Sequence, residues 1–166
     1  MNNYKNTIIK DLTSQTESPD RYKLFWIKSL NKELSLIEKM LKDTGIPLLD
    51  IGLELSKKLS QIKDTRFLSI DAQEYIRSLI ESHAKKPGSL VAKSIAIYNL
   101  GILFEKDLGL DPSFIIKEIS KTTTIIILWE NLFDEDGRLF WDHAIPDIGF
   151  NFSDTNLKEI KINHEI

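Results

Sequence analysis

The chain has 166 residues, enough for one domain that buries a full core without staples, with the apolar and charged balance of a globular protein. It contains no cysteine, which excludes a disulfide frame and a thiolate metal site. A formal net charge of -3 argues against electrostatic coating of nucleic acid, which needs clustered Lys and Arg.

Residues 1–20 are polar and turn-rich, with a short helix expected at 4–12 and a break at 13–20. No apolar core of a secretory signal precedes them, and no uncharged apolar run elsewhere is long enough to span a membrane, so a cytoplasmic protein is expected. Residues 21–166 read as a single domain. Tyr22, Leu24, Phe25, Trp26 and Ile27 suggest a first strand at 21–27. Leu30, Leu34, Ile37, Met40 and Leu41 follow at helical spacing, with Asn31 a candidate cap and Gly45 the stop. A second strand is expected at 46–51, then a helix marked by Leu53, Leu55, Leu59 and Ile62 with Lys57 and Lys58 on its polar side.

Residues 71–83 predict a helix opened by Asp71 with Glu74 three residues on, near a capping box, and closed by Lys86-Pro87-Gly88. Residues 95–104 read as a buried strand, followed by a loop at 105–107. Asp111-Pro112 opens another helix in the favoured order of cap then proline, with Phe114, Ile115 and Ile119 facing inward. The β-branched run at 122–129 predicts a central strand covered on both faces. Residues 134–137 make a turn and 138–142 a returning strand; beyond Asp147 the pattern is weak. Strands alternating with helices argue for a layered α/β sheet with mainly parallel strands.

The first strand-to-helix connection is where an α/β nucleotide enzyme holds phosphate. Such a loop needs glycines, so that backbone N–H groups can wrap phosphate oxygens, a Lys for the phosphates and a Ser or Thr for the metal. This chain offers Lys28-Ser29-Leu30-Asn31-Lys32-Glu33 and no glycine before Gly45; Glu33 would repel phosphate. The strand that should end in a magnesium-ordering aspartate offers Tyr98, Asn99 and Gly101 instead. Both parts of one catalytic device are missing, although periodicity alone fits an unrelated α/β domain equally.

From Gly45 to about Pro146 the chain resembles the small P-loop protein of BREX (bacteriophage exclusion) defence systems, the BrxF-like family. One match runs through Gly45-Ile46-Pro47-Leu48-Leu49-Asp50-Ile51-Gly52-Leu53-Glu54-Leu55-Ser56-Lys57-Lys58-Leu59. In a second, Asn99, Ile102, Leu103 and Phe104 match a family strand in which Tyr98 stands for an aspartate and Gly101 for a glutamate. Residues 119–129, Gly137-Arg138-Leu139-Phe140-Trp141 and Pro146 resemble its later strand and C-terminal hairpin. The resemblance implies a three-layer α/β/α P-loop NTPase-like domain and an antiphage setting. The phosphate loop and metal acids do not carry over, so the nucleotide site is expected to be degenerate: vestigial at Lys28, Ser29, Lys32, Glu33, Tyr98, Asn99, Gly101 and Ser120, with no cofactor and no metal. Ser120 and Lys121 precede a central strand, where related ATPases hold a γ-phosphate sensor.

The expected function is thus a non-catalytic subunit or adaptor, acting through other subunits of a defence complex or through self-association. Phe140 and Trp141 would mark the partner surface if both were exposed; Trp26, Trp129 and Trp141 otherwise read as core. An alternative is a divergent ATPase using Lys28 or Lys32 with an acid such as Glu105. A second is a small DNA-contacting module using Lys57, Lys58 and Arg66, which the acidic balance disfavours. Asp142-His143 with Asp147, and Asp134-Glu135-Asp136, read as turns rather than cation sites; His83 suits a helix C-terminus, and His164 lies in the tail.

Overall fold

The computed structural model describes residue 8 and residues 10–13, 20–87 and 92–162. Ile8 and residues 10–13 are helical, which agrees with the expected N-terminal helix where it is described. Of the expected break at 13–20, Thr13 is still helical and residues 14–19 lie outside the described residues, as do the stop at Gly88 and His164. The elements that follow are β1 (Leu24–Lys28), α1 (Leu34–Thr44), β2 (Leu48–Asp50), α2 (Ile51–Leu59), α3 (Leu68–His83), β3 (Ser94–Tyr98), α4 (Pro112–Ser120) and β4 (Thr124–Trp129). The chain then adds β5 (Leu132–Phe133), β6 (Arg138–Phe140), β7 (Gly149–Asn151) and β8 (Lys158–Glu159). Among the described residues no helix is long and apolar enough to cross a membrane.

Five parallel strands form the central sheet in the order β2-β3-β4-β1-β8. All six residues of β4 are buried, as a strand with neighbours on both edges and helices on both faces requires. Side chains alternate between two cores. Leu24, Trp26, Ile95, Ile97, Ile125 and Ile127 face one, where α2, α3 and α4 contribute Leu55, Ile76, Ile80, Ile115 and Ile119. Phe25, Ile27, Ala96, Ile126 and Leu128 face the other, covered by Ile37, Met40 and Leu41 of α1 and by Ile8 and Leu12. The register sets Trp26 and Ile97 on either side of Ile127.

Several elements depart from the sequence expectation. The third strand ends at Tyr98, not at residue 104, because Asn99 takes φ 57 and turns the chain out of the sheet. Gly101–Phe104 is a 3-10 turn, and Leu100 just before it and Leu103 within it are buried three residues apart. Helix α3 begins at Leu68, three residues early, because Leu68, Ala72, Tyr75, Ile76, Leu79 and Ile80 make one continuous stripe. Asp71 is therefore a first-turn acid rather than the cap. Asn31 likewise opens a 3-10 turn, Asn31–Glu33, without capping anything. Phe114 is 49% exposed, since α4 turns Ile115, Ile116 and Ile119 inward instead.

The region after Trp129 holds the largest omission. β5, β6 and β7 form a separate antiparallel sheet, and β8 returns to pair in parallel with β1. The turn at 134–137 is formed, with Asp134 Oδ1 accepting from the amides of Asp136 and Arg138 and Oδ2 from Arg138 Nε. Aromatic edges fasten this sheet to the main one: Trp129 meets Trp141 at 4.6 Å between centroids, and Phe104 meets Phe150 at 5.0 Å.

Ile127 has no exposed surface and contributes to the centre of the larger core. Ile127→Ala is expected to cost about 2–5 kcal/mol in urea unfolding. Leu53→Ala, at a residue 49% exposed, should cost under about 0.5 kcal/mol.

Candidate functional site

Strand β1 sends the chain into α1, which covers one face of the sheet; its neighbour β4 sends it toward β6 and β7, whose Leu139 and Phe150 pack on the other face. The connections diverge at the carboxyl ends of these two strands, and ligands of open α/β sheets bind at such switch points. A cavity of about 300 Å³ lies there. Ser29, Asn31 and Leu34 reach it from the β1–α1 connection, Tyr98, Asn99, Leu100 and Gly101 from the end of β3. Leu128, Trp129, Glu130 and Asn131 reach it from β4, and Trp141 from beyond β6. Hollows of about 350, 560 and 610 Å³ occur elsewhere, and their linings share no residue with this one.

The β1–α1 connection is short. Only Ser29 and Leu30 separate the strand from the 3-10 turn. Two of its amides donate to carbonyls: Ser29 N to Trp129 at 2.9 Å, and Glu33 N to Leu30 at 2.8 Å. Leu30 N points to Glu33 Oε2 at 3.4 Å, so a carboxylate lies where a phosphate-binding turn would present N–H groups to an anion. Lys28 does not line the cavity; its ammonium lies 5.9 Å from the Phe133 ring centre, on the side of a hollow it shares with Glu33. Lys32 is exposed on the 3-10 turn and does not line the cavity either.

At the other wall, β2 and β3 end side by side, with Asp50 in register with Tyr98. Asp50 Oδ1 caps α2 by accepting from Leu53 N at 2.8 Å, and also accepts from Asn99 Nδ2 at 2.8 Å. Gly52 is required here: a Cβ on it would lie 2.6 Å from Asn99 Cγ and 2.7 Å from the Asn99 carbonyl oxygen. Burial pushes the Tyr98 phenol above its ordinary value, and the Asp50 and Glu38 carboxylates push the same way. At the end of β3 the Asp50 carboxylate is thus committed to the α2 amide and to the Asn99 side chain.

Four of the predicted vestigial positions thus converge on the cavity, namely Ser29, Tyr98, Asn99 and Gly101. Ser120 does not. It ends α4 at the opposite, amino-terminal edge of the sheet, fully buried, with Oγ donating to the Lys117 carbonyl and its own carbonyl accepting from Lys23 N. Lys121 pairs with Glu118 beside it, so neither residue can serve as a phosphate sensor. Phe140 is only 7% exposed, and Trp141 packs on Phe104 and Trp129, so the two do not form an exposed pair. Glu105 borders a different hollow from Ser29 and Tyr98.

The remaining candidates have local partners. Lys57 pairs with Glu54, Arg66 with Asp64, and Lys58 lies over the Tyr75 ring. His83 Nδ1 lies 2.8 Å from the Leu79 carbonyl. Among the described residues no group of three or more His, Cys, Asp or Glu could hold a metal ion. Residue-level reasoning missed Asn31 as a wall residue, together with Glu130, Asn131 and Leu100; no motif surrounds them, and only the strand order brings them together. No family model matches the chain, and no curated protein does so.

A folded-state Tyr98 pKa above 10.0 means the native state holds that proton more tightly than the unfolded chain. Its contribution is complete below the unfolded value and is lost as pH rises through the folded one. Urea midpoints from about pH 9 to about pH 11 should fall more steeply for the wild type than for Tyr98→Phe. Equal slopes would show that Tyr98 does not titrate with folding.

Proposed function

We propose that the chain is a non-catalytic, P-loop-like domain that works by binding rather than by hydrolysing nucleoside triphosphates. What carries this is the β1–α1 connection. A phosphate cradle needs several consecutive free amides and a cation at the following helix. Here the connection has two residues before its helical turn, spends the Ser29 and Glu33 amides on carbonyls, and points the Leu30 amide at a carboxylate. The ancestry half of the reading draws support from the sheet. With β4 between β1 and β3, the loop after β1 and the end of β3 open on one cavity, as a phosphate loop and a metal acid must.

The antiphage setting rests on the sequence resemblance to the small P-loop protein of BREX systems. In that setting the domain would be a subunit or adaptor. Genes for a methyltransferase, a large ATPase and a phosphatase-like protein beside its own would support that, as would their co-purification from the native host.

The purified protein should release no phosphate from ATP–Mg²⁺ above a protein-free blank. The double variant Tyr98→Asp with Gly101→Glu should release none either, because returning acids to β3 does not reopen the amides after β1. Micromolar binding of ATP–Mg²⁺ with turnover by the wild type would overturn the proposal.

A further inference from the structure

We propose that the cavity at the ends of β1, β3 and β4 binds a small uncharged heteroaromatic compound of the nucleobase or nucleoside type. The inference rests on the non-catalytic reading above and assigns a ligand class to the same site. Three observations carry it.

The first is a buried hydroxyl without a partner. Ser29 is 6% exposed and lines the cavity, and its Oγ makes no hydrogen bond among the described residues. Buried hydroxyls are almost always satisfied, and an unmatched one facing a cavity asks for a partner from its occupant. The second is charge. The lining includes the carboxylate of Glu130 and no Lys or Arg, so phosphate or carboxylate groups would enter without a counter-charge. The third is the pairing of flat and polar walls. Trp129 and Trp141 supply aromatic surface, while the amides of Asn31 and Asn131 can each donate and accept, which suits the mixed edge of a heterocyclic base. At about 300 Å³ the space is at the small end of ligand pockets and suits a ring system rather than a whole nucleoside triphosphate.

Gly101 provides a test that spares the fold. A Cβ there meets only Trp141 Cζ2 at 4.0 Å, so a side chain at this position leaves the cavity wall without a backbone clash at its first atom. Titration calorimetry of the wild type with adenosine, guanosine, cytidine and uridine, and with their 5′-triphosphates plus Mg²⁺, should give saturable binding for at least one nucleoside. Its triphosphate should bind at least about tenfold more weakly. Ser29→Ala should weaken the nucleoside by about tenfold without lowering the melting temperature of the free protein, because no native hydrogen bond is lost. Gly101→Leu should abolish binding, and Glu130→Lys should move the preference toward the phosphorylated form. Absence of binding by all four nucleosides overturns this inference and leaves the non-catalytic proposal standing. Unchanged binding in Gly101→Leu overturns it as well. A triphosphate bound more tightly than its nucleoside, with turnover, overturns both.

Discussion

The pairing of β4 with a parallel strand on each edge is the constraint from which the rest of the structure follows. A strand in that position can meet water on no side, so both of its faces must be apolar and both faces of the sheet must be covered. Ile125, Ile127 and Trp129 therefore meet α2, α3 and α4, while Ile126 and Leu128 meet α1 and the N-terminal helical residues. Each such isoleucine or leucine contributes about 1.5–3 kcal/mol on burial. That sum offsets the entropy of ordering two helical layers around strands of two to six residues.

The same pairing makes the cavity. Because β4 separates β1 from β3, the connections after all three strands must diverge at one edge, and a gap opens where they part. What that gap can hold is decided by the few residues following each strand. After β1 the Ser29 and Glu33 amides turn to carbonyls and the Leu30 amide to Glu33; at the end of β3, Tyr98, Asn99, Leu100 and Gly101 bring a phenol, an amide, an apolar side chain and none at all. A site built to hold a polyanion has to supply positive charge or free N–H groups. This one supplies hydroxyls, carboxamides and indole rings.

How much of this was legible depended on the range of the interaction. The strand at 124–129 and the cap at Asp111 were readable because each is fixed by its own neighbours: a β-branched run that nothing but a sheet interior suits, and a side chain reaching Phe114 N three residues on. Residues 100–104 misled because an apolar run serves strand or 3-10 turn alike, and Asn99 at φ 57 makes the choice. β8 was invisible because two residues pairing with Phe25 and Trp26 leave no periodicity. In the site, Ser29, Tyr98, Asn99 and Gly101 were found by asking what a phosphate cradle lacks. Glu130 and Asn131 were not, since nothing local distinguishes them from any turn. Ser120 was misplaced for the same reason: preceding a strand in sequence does not say which edge of the sheet that strand begins on.

The aromatic fastening of the second sheet connects these features. Trp141 comes from beyond β6, yet it reaches the cavity because Phe104 and Trp129 hold it by their edges at 4.9 and 4.6 Å. Phe104 belongs to the turn that replaces the outer half of the expected third strand. Had the strand continued to 104, its residues would have stayed in the plane of the sheet, and Phe104 could not have met Trp141 and Phe150 together. The break at Asn99 thus turns Phe104 out of the plane of the sheet, where it fixes an indole over the same space. The aromatic wall of the gap is, in this fold, a consequence of a single backbone turn.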